Sequence, residues 1–116
     1  MPRERAAKVM LIAYMAWLFY VALGPPPQGT EIPHLDKLMH ALSWGLLAAF
    51  SVAAWPQRLR LAVVLAGVHG GLTELLQGAM VAGRHADWLD WLADLLGAAV
   101  LVALISWARR RRSAAA

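Results

Sequence analysis

Four apolar runs, set apart by prolines, glycines and charges, leave this chain little choice of fold. The first is Val9–Leu23, preceded by Lys8 and ended by Gly24 and three prolines. The second runs from about Leu38 to Trp55 and stops at Pro56, and the third spans Leu61 to about Ala82. The fourth reaches from roughly Trp88 to Trp107 and meets Arg109 to Arg112. A helix rises 1.5 Å per residue, so crossing a bilayer takes about 17–25 residues. The last three runs suffice, and the first does once Ala6 and Ala7 join it.

Composition points the same way. The chain has 116 residues, of which 60% are hydrophobic and 16% charged, whereas soluble domains carry about 25% charged residues. The expectation is an all-α membrane protein, a bundle of four transmembrane helices in one domain over residues 1–112, with a disordered tail at 113–116. Without cysteine there is neither a disulfide nor a thiolate metal site. The formal charge of +4 does not imply nucleic acid, because the basic residues bracket the apolar runs and form no continuous face. Arg3, Arg5 and Lys8 also resemble the basic start of a signal peptide. Ala22-Leu23-Gly24 before three prolines is a poor cleavage site, so a retained helix is expected.

Basic residues set the expected orientation. With a cytoplasmic N-terminus, the inner segments hold Arg3, Arg5, Lys8, Arg58, Arg60 and Arg109 to Arg112, and the outer ones only Lys37 and Arg84. Nine against two places both termini in the cytoplasm. The Gly24–Pro33 linker, extended or re-entrant, and the Gly83-Arg84-His85 turn then lie outside. Trp17, Trp44, Trp55, Trp88, Trp91 and Trp107 sit mostly near run ends, as an interfacial belt requires. The four arginines suit anionic lipid.

The acids are the anomaly. Asp36, Glu74, Asp90 and Asp94 lie at the ends of the apolar runs or inside them, with Glu31 and Asp87 close by. An ionisable group at membrane depth costs about 2.5–3.5 kcal/mol on insertion scales and usually faces a bundle interior or a watery cavity. Helical spacing puts Asp87, Asp90, Asp94 and Gly97 on one stripe of the fourth run. Glu74 and Gln77 share a stripe with the third run's glycines, and Asp36, His40 and Ser43 share a face of the second, with Lys37 beside it. From the helical rise, Glu74 lies about 12 Å, Gln77 about 7 Å and Asp94 about 9 Å below the outer ends of their helices. One outer-leaflet pocket is therefore expected. Asp36, Glu74, Asp87, Asp90 and Asp94 would face only Lys37 and Arg84. Either some of these carboxyls keep their protons, or protonated His40, a cation or a cationic ligand compensates.

Plainer readings stay open. Glu74 and Gln77 can serve as hydrogen-bonding glue between helices, and Asp87 and Asp90 can simply favour a helix N-terminus. His34 and His85 read as interfacial side chains, and His69 as packed or lumen-facing.

Asp36-Lys37-Leu38-Met39-His40, Glu74-Leu75-Leu76-Gln77, Gly83-Arg84 with Asp87 and Asp90, and Leu96-Gly97 together resemble the VanZ-like family of small multi-pass bacterial membrane proteins. The family's pattern has Asn where this chain has Asp94. The resemblance implies a protein of the bacterial cytoplasmic membrane and the cell envelope, the family being named for an association with resistance to the glycopeptide teicoplanin. It carries over Asp36, Lys37, His40, Glu74, Gln77, Arg84, Asp87 and Asp90 as the polar positions. On this basis the expected function is binding or processing of an envelope lipid or its headgroup. Glu74 and His40 would be the acid–base pair, and Asp36, Lys37, Gln77, Arg84, Asp87 and Asp90 the substrate-binding groups. Arg84 and Lys37 would hold an anionic group, and Asp90 with Asp94 would offer oxygen ligands to a divalent cation, with no other cofactor. The expected partners are membrane lipids, with a second copy or another membrane protein compatible. The competing expectation is a structural accessory subunit whose polar cluster fixes helix packing or docks a partner. Proton or cation passage ranks last, since only His69 continues the polar path inward.

Overall fold

The computed structural model describes residues 2–25, 32 and 34–116. Glu31 and much of the Gly24–Pro33 linker lie outside the described residues. Four helices follow one another: α1 (Pro2–Ala22), α2 (Leu35–Ala54), α3 (Leu59–Met80) and α4 (Trp88–Ala115). Each is long and apolar enough to cross a membrane.

Local sequence sets the ends. Ala54 and Trp55 precede Pro56, and a residue before proline is pushed out of the helical region, so α2 stops there. The chain reverses between α3 and α4 through Gly83, whose φ of 80° suits a residue without Cβ. Asp87 caps α4, its side chain accepting a hydrogen bond from the Leu89 N–H at 2.9 Å. At the other end α4 does not stop at the arginines. It continues to Ala115, which corrects the expected tail. Arginine and alanine are good helix formers, and cations near a helix C-terminus favour its dipole. Likewise α1 takes in the basic segment from Pro2, so its length is 21 residues.

α2 is the central helix, packing on α1, α3 and α4, while α4 also packs on α3. The α2–α4 crossing is made by small residues. A Cβ on Gly45 would lie 3.4 Å from the Gly97 carbonyl oxygen, and one on Gly97 would overlap the Ala41 carbonyl. Glycines here let two backbones approach, as in membrane helix pairs. The core is correspondingly small-grained, with Ala48, Ala54, Ala62, Ala66 and Ala98 buried beside Leu11, Leu18 and Leu47. Large apolar side chains such as Ile12, Leu42, Val68, Leu75 and Leu104 point outward, a surface suited to acyl chains.

Helix α1 is tied on by side chains that reach main-chain carbonyls. The Tyr14 hydroxyl donates to Ser43 O at 2.9 Å. His69 Nε2 donates to Met15 O at 3.0 Å, and Gln77 Nε2 to Ala22 O at 2.8 Å. A carbonyl only accepts, so the His69 proton is on Nε2. His69 is packed, its ring 4.1 Å from Phe19 and 5.8 Å from Trp44. The basic ends gather opposite the acids. There Arg109 donates to Pro56 O at 2.8 Å, and the Lys8 ammonium sits 5.3 Å from the Trp55 ring centre.

Candidate functional site

The N-terminal turns of α2 and α4 and the C-terminal half of α3 bring the acids together at one end of the helices. Lys37, on the first turn of α2, bridges them. Its ammonium lies 3.0 Å from Asp36 and 3.0 Å from Asp87, and also bonds Asp90. An ammonium has three protons to donate, so Lys37 is fully engaged. The expected partnership of Lys37 and Arg84 around an anion therefore does not describe this arrangement, because three carboxylates have taken the lysine. Its ammonium also holds the Asp87 carboxyl below the ordinary carboxylate range, outweighing the small cost of desolvation.

One turn on, His40 faces α4. Its Nδ1 is 2.7 Å from Asp94 Oδ1, and its Nε2 is 3.6 Å from Asp90 Oδ2. Since a carboxylate accepts, Nδ1 carries the proton and Nε2 is turned toward Asp90. Asp94 is fully buried. Room for it comes from α3, where a Cβ on Gly70 would come 2.5 Å from Asp94 Oδ2. The imidazole is held flat by Trp44, whose ring is 5.2 Å away at an interplanar angle of 5°.

Glu74 approaches from α3. It is 4% exposed; Oε2 accepts the Asp87 N–H at 3.0 Å, while Oε1 has no hydrogen-bond partner among the described residues. His40, Glu74 and Asp90 each place a ligand-capable atom within 4.8 Å of the others. One residue from each of three helices thus meets at a point.

Other expected site residues are elsewhere engaged or at the margin. Gln77 donates from Nε2 to Ala22 O at the end of α1, so it ties two helices together. Asp94 is the hydrogen-bond acceptor for His40, and among the described residues His40, Glu74 and Asp90 form a group that could hold a metal ion. Asp36, at the exposed rim, pairs with Lys37 alone among the described residues. Arg84 lies in the turn between α3 and α4, and its Nε is buried without a partner among the described residues. His85 is exposed, and so is His34, at the start of α2.

Trp44 was expected in an interfacial belt and is instead a buried wall of the site. Its position one turn after His40 was the available signal, since residues four apart on a helix share a face. Thr73 is also buried, its hydroxyl donating to His69 O at 2.7 Å. That satisfies the group within its own helix.

No family model, curated protein or solved structure matches the chain. The composition and the four candidate spans suggest a multi-pass membrane protein.

Proposed function

We propose that this chain is a four-span protein of the bacterial cytoplasmic membrane whose acidic end faces outward and binds the anionic headgroup of an envelope lipid. The observation that carries the reading is Arg84. Its buried Nε lacks a partner among the described residues, while the neighbouring lysine is saturated by carboxylates. A buried guanidinium N–H without an acceptor is matched by an anion, and the planar fork of arginine suits phosphate. The orientation rests on the nine inner against two outer basic residues. The resemblance to the VanZ-like family supports an envelope role connected with glycopeptide resistance. His40 and Glu74, which lie close together, would supply proton transfer if the headgroup is processed as well as bound.

Purified protein in nanodiscs of phosphatidylcholine doped with phosphatidylglycerol gives the test, with retained lipid counted by native mass spectrometry. Charge-assisted hydrogen bonds contribute about 1.5–3 kcal/mol, and tenfold corresponds to about 1.4 kcal/mol. Arg84→Ala is expected to lower phosphatidylglycerol retention about tenfold and leave phosphatidylcholine retention alone. Wild-type retention of phosphatidylglycerol by a stably folded Arg84→Ala protein would end the reading.

The second reading, a structural subunit, is favoured by the Gln77 bond to Ala22 and the Glu74 bond to the Asp87 N–H, which use site residues as helix ties. It expects Arg84→Ala to lower thermal stability or release a co-purifying membrane protein, with no lipid-selective loss.

A further inference from the structure

We infer that His40, Glu74 and Asp90 form a binding site for a first-row divalent transition metal. Three atoms that all lie within 4.8 Å of one another have a common centre no more than about 2.8 Å from each. Bonds of about 2.0–2.2 Å to imidazole nitrogen and carboxylate oxygen then require each atom to move inward by less than about 1 Å, within the reach of side-chain rotation. His40 Nε2 and Asp90 Oδ2 are already 3.6 Å apart, close to the spacing of adjacent ligands around such an ion.

Two further observations point to an ion. Glu74 is 4% exposed, and its Oε1 has no hydrogen-bond partner among the described residues. A buried carboxylate oxygen left bare is costly, and a cation at the point shared with His40 and Asp90 satisfies it. The histidine is also oriented as a ligand. Its Nδ1–H is held by fully buried Asp94 at 2.7 Å, which fixes the tautomer and leaves the Nε2 lone pair toward Asp90. A carboxylate on the far nitrogen of an imidazole is the usual support of a metal-bound histidine. Lys37 bonds Asp90 through Oδ1, so Oδ2 remains free for the metal. Charge favours the same conclusion, because five carboxylates gather here, three of them on Lys37, one on His40 and Glu74 on a main-chain N–H.

The donor set selects the ion. One nitrogen and two carboxylates suit Zn²⁺, Mn²⁺ or Fe²⁺, whereas Mg²⁺ and Ca²⁺ prefer oxygen alone. Three protein ligands leave a position for water or a phosphate oxygen. His40 and Asp90 are only partly buried, so an ion can enter from the helix ends. This inference does not depend on the headgroup reading.

Full-length protein in detergent, stripped with chelator, is titrated with Zn²⁺ and separately with Mn²⁺ by calorimetry. One ion per chain with a Kd of about 10 µM or tighter is expected, with a rise in melting temperature. Glu74→Gln and Asp90→Asn should each weaken Zn²⁺ binding at least tenfold, and exposed His85→Gln should leave it within twofold. Because either carboxylate variant can misfold, pulsed electron paramagnetic resonance on the Mn²⁺-loaded wild type reads the site directly. Coupling to one imidazole nitrogen is expected. Three results would overturn the inference: a Kd above about 1 mM for both ions, Zn²⁺ affinity unchanged in folded Glu74→Gln and Asp90→Asn, or no nitrogen coupling to bound Mn²⁺.

Discussion

Gly97→Ala is expected to destabilise the protein by about 3 kcal/mol, at the upper end of ordinary overpacking. Helix propensity alone predicts the opposite, since alanine for glycine inside a helix gains about 0.5–1 kcal/mol. The added methyl decides the sign, because it would overlap the Ala41 carbonyl of α2. That neighbour is backbone and cannot rotate away, so α2 and α4 must separate along the crossing that holds the acidic site. Gly71→Ala is the control. Its Cβ would meet the Trp91 ring at 3.4 Å, an ordinary contact, and the variant should equal or exceed the wild type. Unfolding by denaturing detergent, followed by circular dichroism, measures both. Wild-type stability in Gly97→Ala would mean that the two helices do not approach this closely.

Asp94 carries the second large effect. Asp94→Ala removes the acceptor for His40 Nδ1, buries an unpaired donor and leaves a void against Gly70. A hydrogen bond involving a charged group contributes about 1.5–3 kcal/mol, and the lost packing adds to it, so a loss of about 3 kcal/mol is expected. Asp94→Asn keeps an oxygen in the same place and the same volume, and should cost under about 1 kcal/mol. The same unfolding assay separates the two. Equal losses in both variants would show that the negative charge, and not the hydrogen bond, is what α4 needs at this position.

Much of the fold was legible. Runs of apolar residues broken by Pro25, Pro56 and the Gly83 turn marked four helices, and the acids on α2, α3 and α4 were spaced to share helical faces. Helical period and depth sufficed to bring His40, Glu74 and Asp90 to one end, because both follow from residue count alone. Partnerships did not follow. Lys37 is one residue from Asp36 in sequence, yet which other acids it takes depends on how α4 is rotated against α2. That rotation is set by Gly45 and Gly97, and spacing cannot rank one small residue above another as the point of closest approach. Gln77 shows the same limit. An amide on a polar stripe reads as a ligand group, and only the placement of Ala22 reveals that it binds the end of α1. The continuation of α4 through its arginines was hidden for another reason. A cationic run signals where a span leaves the membrane, and it carries no information on where the helix ends.

The attachment of α1 has a consequence for biosynthesis. Two of its three fixing hydrogen bonds come from His69 and Gln77, which lie 54 and 55 residues further along the chain. During synthesis α1 is made first, and its bond from Tyr14 to α2 is the earliest of these contacts to become available. Only when the third segment has been threaded in can the first be locked. A nascent chain arrested after α2 should therefore hold its leading helix through α2 alone, without the two hydrogen bonds from α3.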